Sequence, residues 1–203
     1  AAAARQALER AGIDKAQLGA CVVTTVAGDK VTPSCACMLQ AALDLPELTP
    51  CFDLNAACAG FPYALRVVQG LLTDERPYGL VVSAEVLSRL LDFTDRSTCV
   101  LFGDGAGAAV VARQEGAEDI HAVLGSRGND QVLCIDGAWA DHTAHVHMEG
   151  QPVFKFAVNI IPSCIEDILR AAGRTLEEVD LVVMHQANER ILDHVVSRMG
   201  LPP

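Results

Sequence analysis

The chain has 203 residues and a formal net charge of −11, and 51% of its residues are hydrophobic while only 4% are aromatic. An acidic chain with no basic stripe argues against binding to nucleic acid or to an anionic membrane surface, and no apolar run is long enough to span a membrane. The eight cysteines are spread through apolar segments without the compact framework of a small secreted domain, so we expect reduced thiols and a cytoplasmic location.

Segments with helical periodicity alternate with short apolar runs that are typical of buried strands. In chain order, the predicted elements are a helix at 2–11, a strand at 20–26, a helix at 34–43, a strand at 51–54, a helix at 59–72, strands at 79–84, 108–112 and 120–125, a helix at 152–172, a strand at 179–184 and a helix at 188–199. A glycine-rich turn is expected at 103–107 and an irregular stretch at 129–147. This alternation predicts a layered α/β fold with a mostly buried sheet.

The polar segment 114–119 resembles a hinge and divides the chain into predicted halves at 1–116 and 117–203. The two halves share a local pattern, since Ala11-Gly12 and Ala172-Gly173 each end a predicted helix and are followed by a short linker and an apolar run. This echo suggests an internal duplication, although a pattern this common is weak evidence for one.

Cys58 lies where the predicted strand at 51–54 gives way to the predicted helix at 59–72. A thiol at that position faces unpaired backbone N–H groups and the positive end of the helix dipole, and both favour the thiolate. Its small neighbours Ala57, Ala59 and Gly60 leave room for a substrate. The pattern indicates a nucleophile, and the alternative is a buried structural cysteine.

His185 follows the apolar run 179–184, and Asn188 is a favourable N-cap for the last predicted helix. Because ligands bind at the carboxyl ends of strands in open α/β sheets, a histidine there can polarise a carbonyl or deprotonate a thiol. Cys58 has the same kind of position, so the two side chains are candidates for one crevice. The alternative for His185 is a hydrogen-bonded core histidine.

The Gly103–Gly107 run has the composition of a nucleotide-binding loop but not its context. It precedes a predicted strand, whereas a dinucleotide fingerprint follows a strand and begins a helix, and it lacks the ending of a phosphate-binding P-loop. We interpret it as a tight turn.

Two polar clusters have simple explanations. His142, His145 and His147 lack the further ligands that a closed metal site needs, which favours a solvated polar strand. Asp92, Asp95 and Arg96 fit an exposed, ion-paired loop better than a catalytic pair when charge alone is considered.

Five segments, taken in order, resemble β-ketoacyl-ACP synthase III, the initiating condensing enzyme of bacterial fatty-acid synthesis. The matching segments are Asn55-Ala56-Ala57-Cys58-Ala59-Gly60-Phe61, Thr94-Asp95-Arg96, Phe102-Gly103-Asp104-Gly105-Ala106-Gly107-Ala108, Glu149-Gly150 through Val153-Phe154-Lys155, and His185-Gln186-Ala187-Asn188 with Arg190-Ile191. The resemblance implies a thiolase-like, duplicated five-layer α/β/α/β/α fold, normally dimeric.

The resemblance also implies roles. Cys58 would take an acyl group from acyl-CoA, and His185 would polarise the thioester carbonyl during decarboxylation of malonyl-ACP and condensation. The enolate formed on loss of CO₂ needs a positioned hydrogen-bond donor on its oxygen. CoA thioesters and phosphopantetheine-ACP are substrates in this scheme, so it requires no metal and no bound cofactor.

The same matching gives expectations for the surroundings of these two residues. Residues that would line the CoA or phosphopantetheine tunnel are Arg96, Gly150, Gln151, Phe154, Ala187, Asn188 and Ile191, with Gln151 standing where an asparagine is usual. Residues that would dock the acidic carrier protein are Lys155, Arg190 and Arg198, for which ordinary surface solvation is the alternative. Thr32 matches the loop that reaches the partner's acyl pocket, where a small residue would leave space for a longer or branched primer.

The resemblance further implies that the chain is incomplete at both termini. The family's third catalytic residue, an asparagine in an Asn-Thr-Ser segment, would lie beyond Pro203, and strands that contact the CoA adenine would precede Ala1. We therefore expect residues 1–203 alone to be poorly stable or inactive.

Three other functions compete with the initiating enzyme. A related ketosynthase of secondary metabolism would keep Cys58 and His185 but use other substrates. A non-catalytic dimerisation partner would need neither residue, and a cysteine hydrolase would have to admit water to the acyl-enzyme.

Overall fold

The structure is a computed structural model that describes residues 1–118, 120–137 and 144–201. Its helices are α1 (Ala2–Ala11), α2 (Cys35–Leu43), α3 (Gly60–Gln69), α4 (Gly150–Ala172) and α5 (Glu189–Met199), and its strands are β1 (Leu18–Thr24), β2 (Cys51–Leu54), β3 (Tyr78–Val86), β4 (Asp104–Ala112), β5 (Leu133–Ile135) and β6 (Val146–Met148). The chain forms two compact units. Unit 1 comprises Ala1–Leu87 and Gly103–Ile120, and unit 2 comprises Ser88–Phe102 and the residues from His121 onward.

Unit 1 is built on a four-stranded sheet in the order β2-β1-β3-β4. β1 runs parallel to both β2 and β3, and β3 runs antiparallel to β4. Thr24 at the end of β1 is opposite Leu54 on β2 and Ser83 on β3. The carboxyl ends of three strands therefore meet at one edge, which we call the carboxyl edge.

Side-chain alternation along the strands divides the core of unit 1 between two faces. Leu18, Cys21 and Val23 pack with α1 and α2, whereas Ala20 and Val22 pack with Ala64, Val68 and Leu72. Every residue of β1 is buried, as a central strand covered on both faces requires. Unit 1 is thus a three-layer α/β/α arrangement, in agreement with the predicted layered fold.

Unit 2 contains α4, α5 and the antiparallel pair β5–β6. The two helices pack against each other, with Val158 on α4 and Ile191 and Val195 on α5 buried. α4 runs for 23 residues despite an internal proline at Pro162.

Four predictions of local structure are wrong. The residues 120–125 and 179–184 are not strands, because a strand exists through hydrogen bonds to a neighbour and none of the described strands pairs with them. The expected turn at 103–107 is largely β4, where Gly105 and Gly107 pair with Glu85 and Ser83. The stretch at 129–147, expected to be irregular, contains β5 and the start of β6.

The local pattern that the two predicted halves share in sequence is also present in the backbone. α1 and α4 end at Gly12 and Gly173, which adopt left-handed conformations with φ of 61° and 64°. A 3₁₀ turn follows each glycine, at Lys15–Gln17 and Leu176–Glu178. The internal duplication and the division at 116/117 stay predictions, and the compact units differ from the predicted halves in assigning Ser88–Phe102 to unit 2.

Candidate functional site

Cys58 is exposed and occupies the middle of a 3₁₀ turn, Ala57–Ala59, which joins the end of β2 to the start of α3. The turn begins at Ala57 with φ of 45°, a left-handed conformation that is strained for a residue with a Cβ. The Asn55 side chain accepts a hydrogen bond from the Ala57 backbone N–H at 3.2 Å. The predicted position of Cys58, between a strand end and a helix start, is confirmed, and the turn displays its side chain.

Gly60 brings this turn directly onto the end of β1. A Cβ at Gly60 would lie 2.8 Å from the Thr24 Cβ, so no larger residue fits without movement. Thr24 Oγ1 is hydrogen-bonded to Ser83 Oγ at 2.7 Å. The first turn of α3 is therefore fixed against β1 and β3 at the carboxyl edge.

Glu85 is the residue of this edge that sequence reasoning missed. Its carboxylate accepts hydrogen bonds from the backbone N–H of Val26 at 2.9 Å, the N–H of Ala27 at 3.3 Å and the Thr25 hydroxyl at 3.2 Å. These bonds join the end of β3 to the turn that follows β1. The sequence did contain a signal for Glu85, because a carboxylate directly after the mostly apolar run 80–84 needs hydrogen-bond or charge partners.

The environment of Cys58 raises its thiol pKa above the ordinary value. Desolvation by surrounding protein atoms is the main cause, and the Glu85 carboxylate adds to it, while the Cys58 backbone N–H acts in the opposite direction. The expectation that the helix start favours the thiolate is therefore wrong for the net effect, because the amide contribution is present but outweighed.

The cysteines between β1, β2 and α2 have a packing role. Burial raises the pKa of Cys21 to about 12, and the neighbouring Cys51 thiol adds to the shift. The Cys37 thiol donates to the Cys51 carbonyl oxygen at 3.5 Å. Packed and hydrogen-bonded thiols of this kind are structural rather than nucleophilic.

Thr32 lies in the exposed loop before α2 and forms a cis peptide bond with Pro33. The start of α2 is fixed by Asp53 on β2, whose carboxylate accepts from the N–H groups of Cys35 at 2.7 Å and Ala36 at 2.8 Å. The Ser34 side chain accepts from Cys37 N–H at 3.1 Å, so the helix is capped by two side chains.

His185 is exposed and lies in the segment 179–188, directly before α5. Asn188 is the N-cap of α5 as predicted, and its side chain accepts from Arg190 N–H at 2.9 Å. Ala187, between them, is exposed. The strand predicted before His185 is not formed.

Arg96 is exposed and lies in a loop whose turns are held by hydrogen bonds to aspartate side chains. Asp95 accepts from Ser97 N–H at 2.9 Å, from Ser97 Oγ at 2.6 Å and from Thr98 Oγ1 at 2.5 Å. Asp92 accepts from the N–H and hydroxyl of Thr94 in the same way. The loop was predicted to be held by ion pairs. In the structure, hydroxyl and backbone N–H groups donate to its two aspartates instead.

The start of α4 carries Gly150, Gln151 and Lys155 on its exposed surface. Phe154 is half-buried, and its ring meets the His194 ring edge-on with centroids 6.5 Å apart. Ile191, which was expected to line a tunnel, is 5% exposed and belongs to the packing of α5.

Arg190 and Arg198 differ in their surroundings although both were expected to dock a carrier protein. Arg190 is exposed near the start of α5, whereas Arg198 Nη1 donates to the Val158 carbonyl at 3.3 Å and to Asn159 Oδ1 at 3.2 Å. Arg198 therefore ties α5 to α4.

The histidine cluster is only partly described, because His142 lies outside the described residues. His147 Nε2 is 3.8 Å from Glu149 Oε1. Within 1–118, 120–137 and 144–201, no group of three or more His, Cys, Asp or Glu residues is placed to hold a metal ion.

Cys58 and Thr32 belong to unit 1, and the other predicted site residues belong to unit 2.

Family models match two parts of the chain. The model of 3-oxoacyl-[acyl-carrier-protein] synthase III matches residues 52–128, which include Cys58 and Arg96, and the model of that family's C-terminal domain matches residues 169–203, which include His185. The beta-ketoacyl-[acyl-carrier-protein] synthase III of Coxiella burnetii strain RSA 493 is 38% identical over 204 residues, covering 98% of this chain and 64% of the relative. The chain thus spans about two thirds of the length of such relatives.

Solved structures share the fold. The 3-oxoacyl-(acyl carrier protein) synthase III of Pseudomonas aeruginosa PAO1 superposes with a TM-score of 0.89 at 34% identity, covering 98% of this chain and 63% of that one. The priming beta-ketosynthase of the R1128 polyketide biosynthetic pathway superposes with a TM-score of 0.89 at 36% identity, covering 99% and 63%. The predicted thiolase-like fold is confirmed. Among residues 1–118, 120–137 and 144–201, none of the helices combines the length and the apolar character that a membrane span requires.

Proposed function

Since this chain belongs to the 3-oxoacyl-[acyl-carrier-protein] synthase III family, we propose that its protein is an acyltransferase that starts type II fatty-acid synthesis from acyl-CoA and malonyl-ACP. The observation that carries the proposal is the Cys58 turn, where a strained backbone displays a thiol between β2 and α3, inside the segment that the family model matches.

In the first stage, the Cys58 sulfur attacks the thioester carbonyl of acyl-CoA. The carbon–sulfur bond to CoA breaks, CoA leaves with the proton lost by Cys58, and the acyl group remains on Cys58 as a thioester. Because its surroundings raise the pKa of Cys58, this stage requires a proton acceptor at the sulfur. His185 is the proposed acceptor, supported by its place in the segment that matches the family's C-terminal model.

In the second stage, malonyl-ACP loses CO₂ and the electron pair of the broken carbon–carbon bond forms an enolate. The enolate carbon attacks the acyl thioester, the bond to Cys58 breaks, and the sulfur regains a proton. The His185 imidazole is the proposed donor to the thioester oxygen on which charge develops. This sequence uses CoA and phosphopantetheine as substrate parts and needs no resident cofactor.

The partners of this reaction are also proposed. Arg96, exposed on its hydrogen-bonded turns, is a candidate for CoA phosphates, and Lys155 and Arg190 are candidates for the acidic carrier protein. A homodimer fits β2, which pairs only with β1 among the described strands and so presents an open edge. A cytoplasmic location stays a prediction.

A second candidate is the priming step of a polyketide pathway, favoured by the structural likeness to the R1128 ketosynthase. It shares the acylation of Cys58 and differs in the acyl group and in the carrier. Competition between acetyl-CoA and longer or branched acyl-CoAs separates the two, and the small Thr32 predicts tolerance of the longer primers.

Mass spectrometry of the full-length protein after incubation with acyl-CoA tests the main proposal. We expect one acyl group on Cys58 that is absent from the Cys58→Ala variant and retained in Cys164→Ala, which removes an exposed thiol of α4. Labelling of another residue, or none, would contradict the proposal.

A further inference from the structure

Glu85 lies at the end of β3, at the carboxyl edge of unit 1, although the proposed reaction assigns it no part. Ser83 and Glu85 are two residues apart on β3 and therefore share a face of the sheet. Ser83 is bonded to Thr24, and the Thr24 side chain lies against Gly60, the first residue of α3. This chain of contacts places Glu85 on the α3 face of the carboxyl edge, where Cys58 also lies.

The Glu85 carboxylate is held rigidly at that place. It accepts from two backbone N–H groups and one hydroxyl of the Thr25–Ala27 turn, at 2.9 to 3.3 Å. The Thr25 hydroxyl in turn accepts from Ala27 N–H at 3.1 Å, which closes the turn on itself. A carboxylate fixed by three donors cannot swing away from a neighbouring anion as a free surface side chain does.

We propose that Glu85 is a positioning residue for the acyl-carrying thiol: it fixes the turn after β1 and holds a negative charge on the Cys58 side of the carboxyl edge, where it adds to the effect of burial in opposing loss of the thiol proton. The statement that this thiol carries the acyl group rests on the function proposed above. The effect on the thiol does not depend on that function.

The electrostatics of Cys58 agree with this geometry. Within unit 1, the charged group that acts on the thiol is the Glu85 carboxylate, and it raises the pKa in the same direction as desolvation. A negative charge near a thiol disfavours the thiolate, so the resting sulfur is a weak target for alkylation and oxidation. Thiolate then forms when a proton acceptor is present, and the neutral thioester that follows feels no such repulsion.

The test measures the rate at which iodoacetamide alkylates Cys58 as a function of pH, with peptide mapping by mass spectrometry. Glu85→Gln keeps the shape of the side chain and removes its charge. We expect the midpoint of the Cys58 profile to fall, so that alkylation near neutral pH is roughly two to three times faster. Cys164, exposed on α4, is the internal reference and should keep its rate.

Two further variants separate charge from structure. Thr25→Val removes the hydroxyl donor and leaves the Glu85 charge, so it should keep the midpoint of the unmodified chain. Glu47→Gln removes an exposed carboxylate elsewhere in unit 1 and should also leave the profile unchanged. An unchanged Cys58 profile in Glu85→Gln, or an equal shift in Thr25→Val, overturns the proposal.

A measurement on the unmodified chain covers the case in which Glu85→Gln does not fold. About 1 M salt shortens the screening length to about 3 Å and weakens the action of Glu85 on the exposed Cys58. The midpoint for Cys58 should then fall relative to that of Cys164, and its staying constant counts against the proposal. Because iodoacetamide needs no acyl donor, failure here leaves the acylation test standing, and failure of acylation leaves this result standing.

Discussion

The guanidinium of Arg198 donates to the carbonyl oxygen of Val158, at 3.3 Å, and thereby satisfies an acceptor that Pro162 leaves without a helical partner. In an α-helix the carbonyl of residue i accepts from the N–H of residue i+4, and proline has no N–H to give. Val158 is four residues before Pro162 and is itself buried. The basic side chain that sequence similarity assigns to a docking surface is thus part of the joint between α4 and α5.

This relationship predicts an energetic coupling between Arg198 and Pro162. Arg198→Ala should lower the free energy of unfolding by about 1 kcal/mol, because a hydrogen-bonded acceptor loses its donor. In a Pro162→Ala background the restored N–H serves the carbonyl, so the same substitution should cost less. A double-mutant cycle by urea unfolding measures the difference, and simple additivity would contradict the coupling.

Carrier-protein binding should depend on Arg190 more than on Arg198. Arg190 is exposed, and its side chain makes no hydrogen bond or ion pair that would have to be broken for docking among the contacts described for residues 144–201. Arg190→Ala should weaken carrier binding up to about fivefold, the equivalent of about 1 kcal/mol for an exposed charge, without changing the melting temperature. Titration calorimetry at two salt concentrations measures this. A larger loss in Arg198→Ala, with its fold intact, would reverse the assignment.

The helices and the position of Cys58 could be predicted from the sequence because their signals are local. Asn188 is the N-cap that the sequence predicted, and Gly12 and Gly173 end their helices in left-handed conformations. Such signals lie within one turn of the residues that they control.

The remaining features depend on partners that are distant in sequence. The apolar run 179–184 has strand composition, but composition does not supply a neighbouring strand, and Leu181 and Val183 remain 77% and 80% exposed. Glu85 acquires its role from amides 58 and 59 residues away. The rise in the pKa of the Cys58 thiol likewise depends in part on where the Glu85 carboxylate lies, and no local sequence pattern reveals that position.

The cap that Asp53 places on α2 predicts a loss of stability on its removal. Its carboxylate accepts from the N–H groups of Cys35 and Ala36, which have no acceptor within the first turn of the helix. Asp53→Ala should lower the free energy of unfolding by about 1–2 kcal/mol, more than the typical cost of about 1 kcal/mol for Ser34→Ala. Urea unfolding of both variants gives the comparison, with Glu47→Gln as a control for loss of a carboxylate. Equal stability of Asp53→Ala and the unmodified chain would exclude this role.

Asp95 should titrate far below an ordinary aspartate. Donation from the hydroxyls of Ser97 and Thr98 and from Ser97 N–H lowers its pKa from 3.8 to about 2. Since the folded value lies below the unfolded one, the contribution of Asp95 to stability is present above about pH 4 and is lost as the pH falls toward 2. Carboxyl NMR gives the midpoint directly. Ser97→Ala should move it upward, and Thr94→Ala, which removes a donor to Asp92 instead, should leave it nearly in place.

The contact between Gly60 and Thr24 predicts a sharp penalty for adding one methyl group. In Gly60→Ala the new Cβ would lie 2.8 Å from the Thr24 Cβ and 3.1 Å from Thr24 Oγ1, in a site that is buried. Either α3 shifts away from β1 or Thr24 gives up its bond to Ser83, so we expect a loss of about 1–3 kcal/mol in unfolding free energy. Gly103→Ala is the matched control, because a Cβ there meets nothing within 4 Å. A shift of α3 would move Cys58 as well, so Gly60→Ala should also change the rate of Cys58 alkylation, whereas Gly103→Ala should not. A stable Gly60→Ala protein with unchanged alkylation would show that the close approach of α3 to β1 does not hold the nucleophile in place.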